Sequence, residues 1–350
     1  MNCALKAPLD YAMPMLLGAA RWADTSASFW MMHKNCCARL NPSGLTVSCK
    51  SGLTYRLRKR RSHRFSISAL RMSFIYDEWQ LNCPAGTIRS MLAAIDIGNT
   101  NVVWGVFEGS TLLAHWRLAT NPKATVDEYG VLCMNLLART GRVPEQITGT
   151  IISSVVPSLT ETFESMAGSY FGCTPLIVTS DIDAGLTLRY KNPREIGSDR
   201  IVNAAAAYHK FHRDLIIVDF GTATTFCAVT KGGEYLGGAI APGLGISAEA
   251  LFTRAAKLSK VELARPKTVI GTDTASSIQA GLLFGYAGLV DALVRRMEQE
   301  MGHPSYVIAT GGLASVVAPE TTSIQKIEPL LTLEGLEFLY RRTRGRTSPS

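Results

Sequence analysis

The sequence predicts an α/β protein that uses one layout twice: three antiparallel strands, then alternating helices and strands that complete a mixed sheet. Two observations predict it. The tract Asp96-Ile97-Gly98-Asn99-Thr100-Asn101 has an echo at Asp219-Phe220-Gly221-Thr222-Ala223-Thr224. Each copy follows an apolar run (Leu92 to Ile95, Leu215 to Val218) and precedes another strand-like run (Val102 to Phe107, Thr225 to Val229). A recurring element order marks an internal duplication even where identity between the halves is weak.

Taken in chain order, Ala93 to Ile97, Val102 to Phe107 and Thr111 to Leu118 read as three strands joined by short turns. Tyr129, Val131, Leu132 and Leu136 have the spacing of one helix face, which predicts a helix over Asp127 to Arg139. Thr150 to Val156 is a strand, and Pro157, with its preset φ, opens a helix through Tyr170. A short strand at Pro175 to Val178 and an alanine-rich helix from Ser198 to His212 complete the first half. The second half repeats the order with strands at Leu215 to Phe220, Thr224 to Val229 and Tyr235 to Ile240, followed by helices. A long helix covers Thr274 to Gly302, a strand Ser305 to Ala309, and a last helix Leu333 to about Arg342. The chain thus divides into two lobes, 91–212 and 213–345, preceded by residues 1–90.

The first segment is of another kind. Residues 1–90 hold 13 Lys/Arg against 4 Asp/Glu, while the other 260 hold 23 against 24. The net charge of +8 therefore belongs to the segment, and the main body has no electrostatic case for nucleic acid. The segment lacks hydrophobic periodicity. Its run Arg56-Leu57-Arg58-Lys59-Arg60-Arg61 reads as a solvated charge cluster, and Pro14 interrupts the apolar stretch from Tyr11 to Ala20 that a signal segment would need unbroken. It is expected to be disordered or to stand outside the functional protein, with the working fold starting at Met91. No unbroken apolar run reaches the ~18 residues that span a bilayer, so no membrane partner is expected.

Five of the eight cysteines also lie before residue 91, leaving Cys133, Cys173 and Cys227 widely spaced in the body. With no Cys-x-x-Cys and no paired Cys/His spacing, a structural zinc site is not expected, and sparse thiols fit a reducing compartment.

The two acidic-glycine turns carry the chemistry. Gly98 lets backbone approach a phosphate, and Asn99, Thr100 and Asn101 supply donors beside it. Asp96 cannot bind phosphate itself but suits Mg²⁺ held through water, since Mg²⁺ takes one or two carboxylates plus phosphate oxygens. In the second turn Asp219 can hold a cation while Thr222 reaches a phosphate. Asp, Gly and Asn are ordinary turn residues; the repetition in matching context is what turns the reading towards function. Between the turns, Arg189-Tyr190-Lys191-Asn192-Pro193 and Gly197-Ser198-Asp199-Arg200 form a candidate acceptor site. Phosphoryl transfer to an alcohol needs a carboxylate to orient and deprotonate the hydroxyl, which Asp199 offers, and Arg200 has the planar fork for a substrate carboxylate. The competing reading is that Ser198 or Asp199 caps the helix. Gly243-Leu244-Gly245-Ile246-Ser247-Ala248 imitates a dinucleotide fingerprint, but it follows a meander strand rather than opening a βαβ unit. There is no Gly-x-x-x-x-Gly-Lys-Ser/Thr, which excludes a Walker-type kinase.

At these residues the chain resembles the type III pantothenate kinases, of the acetate and sugar kinase/Hsp70/actin superfamily. The likeness runs from about Met91 to Arg342 and is carried by Asp96 to Asn101, Tyr190 to Pro193, Gly197 to Arg200, Val218 to Thr225 and Ala309-Thr310-Gly311-Gly312. It implies duplicated actin-like ATPase domains around an interlobe nucleotide cleft, and ATP-dependent phosphorylation of pantothenate, the opening step of coenzyme A synthesis. It further implies ATP bound by Asp96, Ile97, Gly98, Asn99, Thr100, Asn101, Val102, Val103 and Thr222. Pantothenate would meet Tyr190, Gly197, Ser198, Asp199, Arg200 and Thr274, with Asp199 as proton acceptor. Asp219 would hold a monovalent cation, potassium or ammonium, alongside Mg²⁺, in a cytoplasmic homodimer whose Thr274 reaches the site across the interface. Lys191 stands where the family commonly has Asp, and Ser198 where it commonly has Ala. The rival readings are a non-catalytic regulator on the same fold and a kinase of another small molecule.

Overall fold

The computed structural model describes residues 29–33, 36–41, 44–49, 54–58, 90–254 and 260–347. The chain separates into two compact units, Met1–Gly86 and Thr87–Ser350. In the first, β1 (Phe29–His33), β2 (Cys36–Asn41), β3 (Gly44–Cys49) and β4 (Thr54–Arg58) form an antiparallel meander in sequence order. The rest of the stretch expected to lack order lies outside the described residues.

The second unit contains two sheets. β5 (Met91–Ile97), β6 (Asn101–Glu108) and β7 (Thr111–Ala119) are the expected meander. β8 (Ile147–Ser154) adds in parallel to β5 and the two-residue β9 (Leu176–Ile177) adds to β8, giving the order β7-β6-β5-β8-β9. The other sheet runs β10-β13-β12-β11-β14-β15. Its meander is β11 (Leu215–Phe220), β12 (Ala223–Val229) and β13 (Glu234–Pro242), and β14 (Tyr306–Thr310) lies parallel to β11. The short β10 (Thr187–Leu188) and β15 (Lys326–Ile327) extend its two edges. The two sheets share the arrangement of a meander with a parallel strand beside its first member.

Strand alternation then dictates the layers. In β5, Met91, Ala93, Ile95 and Ile97 face one way and pack with Tyr129, Leu137, Leu159 and Phe163 of α1 (Val126–Ala138) and α2 (Pro157–Met166). Leu92 and Ala94 face the other way, into a core shared with Leu215 and Ile217 of β11. That shared core is filled by α3 (Ser198–Phe211) and by α7 (Leu331–Thr347), through Ile201, Val202, Ala205, Leu333, Leu336 and Leu339. The outer face of the second sheet, with Ile216, Val218 and Val307, is covered by α5 (Thr274–Met301) and the one-turn α6 (Ala314–Val317). Helices and sheets thus alternate in five layers, with α3 and α7 in the middle.

Two expectations need adjustment. The helix from Pro157 stops as an α-helix at Met166 and continues as one π-helical turn, Ala167–Phe171, closed by Gly172 at φ +68. Secondly, α5 is long and apolar enough, by length and composition, to cross a bilayer. Gln279 and Asp291 interrupt it; Asp291 accepts hydrogen bonds from Thr322 and Ser323, and Leu283, Tyr286, Val290 and Val294 are buried on the sheet.

Candidate active site

The last inward-facing residues of β5 and β11 are Asp96 and Asp219, in register with Leu92 and Ala94 and with Leu215 and Ile217 respectively. Both carboxylates therefore sit at the strand ends, on the faces that meet the middle helices. Each turn after them is closed by its glycine: Gly98 N–H donates to Asn101 O at 3.0 Å, and in the second turn, one residue shorter, Gly221 N–H donates to Ala223 O at 3.1 Å. They also meet, the hydroxyls of Thr100 and Thr222 lying 2.8 Å apart. Thr120 braces the first turn by donating to Gly98 O at 2.6 Å. The N–H of Gly243 braces the second by donating to Thr222 O at 3.1 Å. A Cβ on Gly243 would collide with that same carbonyl, so the glycine of the dinucleotide-like tract serves the turn. Asn99 and Thr100 are exposed, Gly98, Asn101 and Val103 half-buried, and Ile97 and Val102 buried in strand cores. Backbone and polar groups, rather than Ile97 and Val102 side chains, are what this turn offers a ligand.

The N-terminus of α3 brings in the third carboxylate. Gly197 is its N-cap, and no side chain caps the helix there. Ser198 turns away from the helix: its hydroxyl donates to Ser154 O at 3.0 Å, accepts from Ser154 N–H at 2.9 Å and lies 3.1 Å from the Ser153 hydroxyl. Ser153 in turn donates to Asp96 Oδ1 at 2.9 Å. Ser198 is thus built into the support of the first carboxylate. Asp199 lies inside the first turn, where Arg200 N–H donates to its Oδ1 at 2.8 Å. Neither Ser198 nor Asp199 is a helix cap in this structure. One helical turn on, the buried Asn203 donates from Nδ2 to Asp219 Oδ2 at 2.9 Å. A single helix therefore supports both sides of the site.

The electrostatics follow. Burial, then the negative charge of Asp199, pushes the Asp96 carboxyl up to about 7. The same two causes push Asp219 up to about 7. Burial also raises the Asp199 carboxyl above its ordinary value. Three acids that each resist ionisation, close enough to act on one another, make a site that gains from arriving positive charge.

Arg200 lies beneath, with 5 % of its surface exposed. Its Nε donates to Cys227 Sγ at 3.3 Å, its guanidinium stands 5.9 Å from the Tyr235 ring centre, and its buried Nη2 has no hydrogen-bond partner among the described residues. A buried guanidinium with an open donor calls for an anion. Tyr190 sits beside it, its ring 6.4 Å from that of Tyr235 and against Gly237, whose φ of +116 leaves no room for a side chain without strain. Lys191 is exposed. Thr274 is not gathered into this cluster. It is exposed in the first turn of α5, in an open groove of about 600 Å³ lined also by Leu251, Gly271, Ser277 and Ile278, and by none of the three acids. Sequence reading missed Ser153, Asn203 and Cys227. Asn203, four residues after Asp199, carried a helical-spacing signal; the other two depend on strand register.

The sequence model of type III pantothenate kinases matches residues 92–296. The chain is 52% identical to the type III pantothenate kinase of Myxococcus xanthus over 255 residues, 73% of this chain and 100% of that protein. It is 53% identical to that of Geobacter sulfurreducens over 254 residues, again 73% and 100%. The chain belongs to the type III pantothenate kinase family. The matched residues 92–296 contain both turns and the start of α3. The four-stranded meander of β1 to β4 lies before the matched region.

Proposed function

We propose that this chain transfers the terminal phosphoryl group of ATP to the hydroxyl of pantothenate, giving 4'-phosphopantothenate, the first step of coenzyme A biosynthesis. The observation that carries it is the Asp199 end of α3 entering between two acidic-glycine turns that touch through Thr100 and Thr222. In this reading the lobes are 91–212 and 213–345, two actin-like domains enclosing the nucleotide, with α7 crossing back to the first sheet. ATP lies against Asp96 to Val103 and Thr222. Pantothenate meets Tyr190, Gly197, Ser198 and Arg200, its carboxylate satisfying the open donor of Arg200.

Asp199 receives the proton of the attacking hydroxyl. Arg200 N–H holds Oδ1 in place, and Oδ2 has no side-chain partner among the described residues, so one oxygen is fixed and one remains for substrate. Its raised pKa suits a group that must take up a proton near neutral pH. The residues fit the family's cations. Among the described residues no three His, Cys, Asp or Glu side chains gather as a metal cage. Asp96 offers one carboxylate edge and phosphate oxygens would supply the rest, as Mg²⁺ requires. Asp219 keeps Oδ1 available for potassium or ammonium while Asn203 holds Oδ2. When bound, these cations offset charge on the phosphates and on the acids.

Val269 and Ile270 are 67% and 83% exposed, next to the groove that holds Thr274, and Ile246 and Leu251 are exposed on α4 (Leu244–Arg254). This apolar surface supports a homodimer in which Thr274 serves the partner's substrate site. The proposed setting is the cytoplasm. An ADP-release assay with ATP, Mg²⁺ and pantothenate, with and without potassium, tests the reading. ADP should appear only with pantothenate and should rise with potassium; no pantothenate-dependent ADP with both cations supplied would end it.

A further inference from the structure

One basic side chain in the cleft belongs to none of the motifs, and strand register finds it. Across the first sheet, Ser153, Asp96, Val103 and Arg117 are directly opposite one another on β8, β5, β6 and β7. Opposed residues share a face, so Arg117 projects from the same face as Asp96. The matching row of the second sheet is Thr310, Asp219, Thr225 and Ile240. The two halves thus agree in their acid and differ in the outermost residue, which is cationic only in the first.

Arg117 also reaches the second sheet's side. A Cβ built on Gly312, just after β14, would lie 3.2 Å from its Nη1. Arg117 is exposed, and among the described residues it makes neither a hydrogen bond nor an ion pair within 4 Å. Its charge acts on both carboxyls, lowering those of Asp96 and Asp219 against the larger effect of burial. A guanidinium held over the cleft, unengaged, within range of both acids and beside bare glycine backbone, has the chemistry of a polyphosphate clamp. It presents parallel N–H donors that match phosphate oxygens, and it stays charged at any working pH. Such a charge offsets the repulsion that these acids, where ionised, exert on an entering triphosphate.

The geometry points to Arg117 as a phosphate-binding residue for the nucleotide, gripping its phosphates from the β7 side while Gly312 keeps the guanidinium free to turn inward. This rests on the ATP-dependent reading above. The test is calorimetric binding of MgATP, inorganic tripolyphosphate and adenosine to the full chain and to Arg117→Gln. Loss of charge-assisted hydrogen bonds should weaken MgATP and tripolyphosphate by about ten- to a hundredfold. Adenosine affinity should stay as in the parent, and so should the KM for pantothenate. Equal MgATP affinity in parent and variant overturns the role of Arg117, as does an equal loss for adenosine, which would mark a damaged pocket. A parent chain that binds no MgATP overturns the kinase reading and this role with it. If Arg117→Gln does not fold, Arg117→Lys decides: it keeps the charge but not the fork, and should weaken tripolyphosphate more than adenosine. An unchanged tripolyphosphate affinity there overturns the proposal.

Discussion

Asp199 combines a fixed oxygen, a free oxygen and a carboxyl that burial makes more basic. Asp199→Asn keeps the volume and removes the proton acceptor. Turnover should fall by about a hundred- to ten-thousandfold with MgATP affinity unchanged. Near-normal turnover in a steady-state assay would remove Asp199 from the chemistry. Asp96 and Asp219 make a second prediction. Their native carboxyls titrate near 7 against an ordinary 3.8. The native chain therefore keeps protons that the unfolded chain has lost, and stability falls as pH rises from about 4 through about 7. A bound cation should restore it only where the acids are ionised. Potassium, compared with choline at equal ionic strength, should raise the melting temperature at pH 8.5 and much less at pH 5.5. Equal shifts at both would contradict the placement of the cation. These acids were legible in the sequence because each ends an apolar run and begins a glycine turn. Arg117 and Cys227 were not, because their partners come from strand pairing that one strand's own residues do not reveal.

The elements divide in the same way. The meanders were legible from alternation and from their turns. β10 and β15 were not, since two residues carry no period, and they exist because an edge was available beside β13 and β14. The π-helical turn after Met166 is likewise invisible to apolar spacing. The middle layer depends on close approach of α3 and α7. A Cβ on Gly335 would come within 2.6 Å of Val202 O and 3.0 Å of Ala206 Cβ. Gly335→Ala gains helix propensity but wedges the two helices apart. It should destabilise by about 1–3 kcal/mol in urea unfolding. An equal or higher stability would show that the layer has slack, and the motion would reach Asp199 through α3.

For the molecule as a whole, the exposed apolar surface at Ile270 is the feature with the clearest consequence. Ile270→Asp should leave the melting temperature of the monomer little changed, because the side chain is 83% exposed. It should convert the species seen by light scattering from dimer to monomer, and raise the KM for pantothenate if Thr274 serves the opposite site. A variant that remains dimeric, or a monomer with full activity, would place the interface or Thr274 elsewhere. The two-sheet plan was legible because the same order of elements occurs twice. The return of the last helix was not, since nothing in Leu331 to Thr347 says which sheet it will cover.

That return also bears on biosynthesis. The inward side chains Leu92, Ala94 and Phe107 share their core with Leu333, Leu336 and Leu339, more than two hundred residues downstream. While the ribosome is still working on the second sheet, the first one has α3 but not α7 on that side. A nascent chain thus holds a greasy surface until α7 has left the exit tunnel, which makes the intermediate, rather than the finished enzyme, the natural client for a chaperone.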